Sequence, residues 1–155
     1  MGYRIRTTAA VAVLLASVTP GFAKWNIDTG ENVNGRPIVF AENFQGPGGF
    51  VLACGAGFMH VEADLPAKVR DNDNIKVSFQ VDGNAPHELR GFTGDSYFFS
   101  LGNNDRPTKG VQNLIADMVR GKTVTITAVG RTAVKASWSL KGFGKAYNSV
   151  KANCP

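Results

Sequence analysis

Two stretches of this chain alternate apolar and polar residues with a period of two, and that pattern puts like side chains on one face only in an extended strand. In Met59–Leu65, Met59, Val61, Ala63 and Leu65 take one face, and His60, Glu62 and Asp64 the other. In Ile75–Val81, Ile75, Val77, Phe79 and Val81 face inward, against Lys76, Ser78 and Gln80. Pro37–Glu42 and Phe50–Cys54 are apolar enough for central strands, and Gly46-Pro47-Gly48-Gly49 turns the chain between them. Trp25–Asp28, Glu88–Phe92, Tyr97–Leu101, Lys122–Val129 and Thr132–Leu140 complete the predicted strands; in the last, Val134, Ala136, Trp138 and Leu140 face in. Asp71-Asn72-Asp73-Asn74 and Asp82-Gly83-Asn84 carry turn chemistry. The period changes at Val111–Val119, where Val111, Leu114, Ile115 and Met118 fall at helical spacing and Gly121 suits a C-terminal cap. Gly144–Asn153 reads as a second short helix, with Tyr147, Val150 and Cys154 on one side. The expected fold is mainly β: an antiparallel β-sandwich or curled sheet with two short helices.

The N-terminus has the three parts of a secretory signal. Arg4 and Arg6 precede an apolar run over Thr7–Val18, and Gly21-Phe22-Ala23 offers small residues at a cleavage site. The run is too short for the roughly 20 residues that span a bilayer. Residues 1–23 are therefore expected to be a signal peptide and residues 24–155 a single β-rich domain in the periplasm or outside the cell. Two cysteines, Cys54 and Cys154, remain in that segment, with no CxxC motif. An even pair in an oxidising compartment reads as a structural disulfide.

Charge divides along the chain. Residues 24–105 hold 6 Lys/Arg and 11 Asp/Glu, whereas residues 106–155 hold 9 Lys/Arg and the single acid Asp117. Such asymmetry suits an anionic partner, and Arg131, Lys135, Lys141 and Lys145 are the candidate binding cations. Nucleic acid is disfavoured, because Lys141, Lys145 and Lys151 are not interleaved with stacking aromatics.

No catalytic constellation stands out. His60, Glu62 and Asp64 share one face of a strand and form the best candidate metal site, with His87 or Glu88 to complete it. The competing reading is the solvent face of an amphipathic strand. Asp71–Asn74 lacks the Gly and Glu of a calcium loop, and Gly55-Ala56-Gly57 lacks the third Gly and the helix of a dinucleotide fingerprint. Ser96 and Ser100 lack a nucleophile elbow. Trp25 and Tyr97-Phe98-Phe99 are candidate exposed aromatics, although core packing is the commoner fate. No cofactor is implied.

The tail, Val134–Cys154, is a strand, then Ser139-Leu140-Lys141-Gly142-Phe143, then a short helix and a Cys. It resembles the ending of small exported bacterial proteins of the invasion-associated locus B family. The layout of Trp25, Cys54 and Cys154 is similar to VasI-type accessory proteins of type VI secretion. The resemblance implies that Leu140 and Phe143 pack the final helix and Cys154 staples it. It also implies a non-enzymatic Gram-negative envelope protein that binds a protein or an anionic envelope or host-surface partner, in invasion or secretion. Two alternatives stay open. One is an inhibitor or immunity protein against a cell-wall hydrolase, acting through a loop such as Gly102–Lys109. The other is a metal or small-ligand binder.

Overall fold

Among the described residues there are eleven strands and two helices: β1 Asn26–Glu31, β2 Pro37–Phe44, β3 Gly49–Gly55, β4 Phe58–Asp64, β5 Ile75–Val81, β6 His87–Gly94, β7 Tyr97–Ser100, β8 Gly102–Asn103, β9 Arg106–Pro107, α1 Lys109–Arg120, β10 Thr123–Val129, β11 Ala133–Ser139 and α2 Phe143–Ala152. The computed structural model describes residues 24–155 apart from 33, 46–47, 70–74, 95–96, 101, 104–105, 108 and 130–132, with backbone alone at 75, 92–94, 97–100, 102–103 and 106–107. The expected signal segment, the Asp71–Asn74 turn, Ser96 and Arg131 lie outside the described residues, and so does the side chain of Ser100.

Nine strands form one antiparallel sheet in the order β1-β2-β3-β4-β7-β6-β5-β10-β11, and β8 pairs with β9. That sheet folds over on itself. The Phe50 ring on β3 lies 6.4 Å from Phe79 on β5 and 6.4 Å from Trp138 on β11. Flat strands spaced about 4.8 Å apart would hold Phe50 and Phe79, four steps along the sheet, about 19 Å apart. The result is a two-layered, sandwich-like β fold whose buried residues make one core cluster with both helices.

Alternation sets what each strand contributes. Val61, Ala63 and Leu65 are buried, as are Val77, Phe79 and Val81. Helix α1 buries Val111, Leu114, Ile115 and Met118, the stripe its spacing predicts. Leu140 and Phe143 are buried as well. Gly121 differs from expectation in its reason. Its φ is not positive; instead a Cβ there would collide with Val81 Cγ1 and crowd Leu140 Cδ1 at 3.2 Å.

The tight turns are legible in residue type. Ala56 and Gly57 (φ 50° and 77°) join β3 to β4, with Gly55 opposite Phe58. Asp82 and Gly83 (φ 50° and 76°) do the same after β5, closed by Asn84 N–H donating to Val81 O at 2.9 Å. Both are type I′ geometries, which match strand twist and require positive φ twice. Gly55-Ala56-Gly57 is thus hairpin chemistry. The Asp82 carboxylate also accepts from Lys122 N–H at 2.9 Å and Thr123 N–H at 2.8 Å, fixing the start of β10.

Where the sheet curls back, side chains replace a backbone ladder. Gln45 Nε2 donates to Ser139 O at 3.3 Å, and Ser139 N–H donates to Gln45 Oε1 at 3.2 Å. Asn43, buried, donates to the same carbonyl at 3.4 Å. One amide side chain therefore satisfies both peptide groups of an edge residue on β11. Gln45→Ala is expected to cost about 1–3 kcal/mol, from the two lost bonds and the Ser139 N–H left without its acceptor. A urea midpoint unchanged from wild type would contradict this.

The disulfide joins Cys54 on β3 to Cys154 just beyond α2, with Cα atoms 5.4 Å apart and 100 residues between them in sequence. Gly57 N–H donates to Pro155 O at 2.8 Å and holds the terminus against the β3–β4 turn. No helix among the described residues is long and apolar enough to cross a membrane.

Candidate functional site

On a helix, residues three and four apart are neighbours. Beside its buried stripe, α1 carries a second row of Gln112, Ile115, Ala116 and Val119, followed by Arg120. Val119 is apolar yet 38% exposed. On α2, Tyr147 and Lys151 form the facing row, and Lys151 Nζ sits 5.8 Å from the centre of the Tyr147 ring. Gly144 sits where the two helices meet, and a Cβ on it would make ordinary contact with Val119 O at 3.6 Å. The tip of the β3–β4 hairpin, Gly57 to Met59, closes the third side.

These three elements enclose an open groove of about 740 Å³. Its apolar wall is Phe58, Met59, Ile115, Val119 and the Tyr147 ring, and among the described residues its charged lining is Arg120 and Lys151. The volume falls in the range of about 300–1,000 Å³ typical of small-molecule sites. The disulfide and the Gly57–Pro155 hydrogen bond brace two of the three walls.

A small charged cluster supports the α1 wall. His87 Nε2 lies 2.8 Å from Asp117 Oδ2, and Arg120 Nη2 donates to Asp117 Oδ1 at 2.7 Å. The Arg120 guanidinium first, and then His87, hold the Asp117 carboxyl below its usual 3.8. A depressed carboxylate contributes stability that is fully present above the unfolded value. That contribution is lost as pH falls through the lower, folded value. Asp117→Asn is therefore expected to lower stability at neutral pH and to flatten the acid limb of stability against pH, the variant and the wild type converging below about pH 4. The acid limbs of thermal-melting curves check this, and superimposable limbs would refute it.

The candidate metal residues divide. His60 Nε2 lies 2.8 Å from Glu62 Oε1, on the side of the sheet away from the core. Asp64, two residues on, shares that face. His87 cannot complete the set, because it shares a face with Phe79 and turns toward Asp117 on α1. Glu88 is held by Lys76 Nζ at 3.0 Å, which, with the Ser78 hydroxyl, draws its carboxyl below the usual range. Among the described residues no group of three or more His, Cys, Asp or Glu is placed to hold a metal ion.

Among the described residues, the predicted cations Lys135, Lys141 and Lys145 do not form one patch. Lys135 points outward from β11, paired across the ladder with Thr127, on the face opposite Val134 and Trp138. Lys141 precedes α2, and Lys145 lies on its exposed side. Trp25 is no free surface aromatic either. It packs edge-on against Phe143 at 5.0 Å and Phe50 at 6.5 Å. Tyr97–Ser100 is strand β7, between β4 and β6.

Sequence reading put Tyr147 with Val150 and Cys154 on one side of the last helix, and missed Met59, Val119 and Arg120 as groove residues. One local signal was available: Val119 is an apolar residue lying off the core stripe of α1. No family model, curated protein or solved structure matches this chain. The fold and the groove define a class, a disulfide-stapled antiparallel β-sandwich with a helix-lined cleft.

Proposed function

We propose that this chain is an exported, non-catalytic envelope protein that works by binding, in host interaction or as a secretion accessory. One observation carries the reading: an apolar groove with a cationic rim, built on braced elements. A rigid, part-apolar concavity with a few placed charges is the common form of a recognition site. The disulfide supports an oxidising compartment. The basic C-terminal segment supports an anionic or acidic partner.

The test is affinity capture on the oxidised chain from envelope and host-surface extracts, at low and physiological salt. A Val119→Asp/Lys151→Glu variant tests the groove, and Lys135→Glu, on the opposite face, is the control. A specific partner lost from the groove variant and kept by the control is the expected result. No partner at either salt, or one indifferent to the groove, would overturn the reading.

The hydrolase-inhibitor alternative has one observation of its own. The predicted loop holds a small ribbon, with Gly102 paired to Pro107 and Asn103 to Arg106. Capture of a cell-wall hydrolase, abolished by replacing that ribbon with Gly and Ser, would favour it.

A further inference from the structure

We infer that the groove between α1, α2 and the β3–β4 turn takes a single-chain amphiphile with a carboxylate head, the acyl chain lying on Met59, Ile115, Val119 and Tyr147. This inference rests on the binding role proposed above and names the ligand class.

Charge and size both lead to it. Among the described residues, the two charged residues of the lining are cations, Arg120 and Lys151, and no carboxylate lines the groove. Asp117 uses one donor of the Arg120 guanidinium, on a side chain that is 74% exposed. A guanidinium fork carries five N–H donors, so it has capacity for a further oxygen acceptor. Lys151, the other cation of the rim, makes no ion pair among the described residues. A carboxylate accepts from both donor types, and such charge-assisted bonds are about twice as strong as neutral ones. Between the cations and the polar Gln112, the lining is apolar, as an alkyl chain requires. A groove of about 740 Å³ is on the scale of one small ligand.

The experiment is titration calorimetry on the full oxidised chain with dodecanoate below its micelle concentration. Dodecyl maltoside, with the same chain and a neutral head, and acetate, with the head alone, are the comparison probes. Dodecanoate is expected to bind with one site, at least about tenfold tighter than dodecyl maltoside, with acetate giving no measurable heat. That factor corresponds to about 1.4 kcal/mol from the head group. Lys151→Gln should weaken dodecanoate several-fold and leave the maltoside unchanged. Val119→Asp, at a partly exposed position, should abolish both while the thermal melt stays cooperative. Equal affinity for the two amphiphiles, no binding of dodecanoate, or binding indifferent to Val119→Asp would each overturn the ligand class. If dodecanoate fails while partner capture still depends on the groove, only the ligand class falls. If capture is indifferent to the groove, the broader reading falls.

Discussion

Replacing Cys54 and Cys154 together with Ser is expected to lower stability by up to about 4.7 kcal/mol, the chain-entropy value for a closed loop of about 100 residues. No larger effect is expected from changing a single interaction here, because the loop spans most of the described fold. Dithiothreitol should lower the urea midpoint of the wild type in the same direction and leave the double variant unmoved. The loss should also be uneven. The bridge holds the end of α2 beside the β3–β4 turn, where Gly57 bonds Pro155. Hydrogen exchange should accelerate first at the last turn of α2, around Lys151, and more slowly at Val77 or Ile126 in buried strands. Unchanged midpoints with and without reductant would show that the staple contributes nothing to stability.

Phe50→Ala is the second large effect, at about 3–5 kcal/mol for a buried aromatic cut back to a methyl group. Phe50 is fully buried and meets Trp25, Phe79 and Trp138 edge-on or tilted within 6.5 Å. It therefore ties β3 to strands on the opposite layer and to the segment before β1. Both tryptophans of the chain touch this ring. Near-ultraviolet circular dichroism should lose tryptophan fine structure in the variant even where far-ultraviolet strand signal persists. Phe50→Leu, which keeps most of the volume, should lose less stability than Phe50→Ala. A loss under about 1 kcal/mol for Phe50→Ala would mean that the two layers do not depend on this contact.

What the sequence made legible follows from how local each signal is. Ile75–Val81 was readable to the residue, because alternation is a property of the strand itself. The buried stripe of α1 was readable for the same reason at helical period. Strand order was not. That β4 pairs with β7, and β5 with β10, depends on partners far along the chain. The longer β2 was missed because Glu42 and Asn43 break the apolar run. Asn43 is buried only because Ser139 of another strand supplies its partner. Of the predicted cations, Lys135 is kept from Lys141 and Lys145 for a geometric reason: alternate residues of a strand face opposite sides, so Lys135 and α2 are parted by the sheet. The groove draws one residue group from each of three separate segments, and none of them is unusual alone.

The contacts that complete the core all run from the first third of the described chain to its last: Gln45 to Ser139, Phe50 to Trp138, Cys54 to Cys154. Loop-closure entropy must be met before such distant pairs reward it, which slows folding. A nascent chain that stops short of residue 138 lacks the strand that covers Phe50 and the partner that caps the curl. It leaves Phe50 uncovered, and incompletely packed chains of that kind are prone to aggregation. Delayed closure has a corresponding benefit: a polypeptide that has not yet folded can still be threaded through a narrow channel. The same wiring that makes the finished domain hard to open thus keeps the unfinished one from locking too soon.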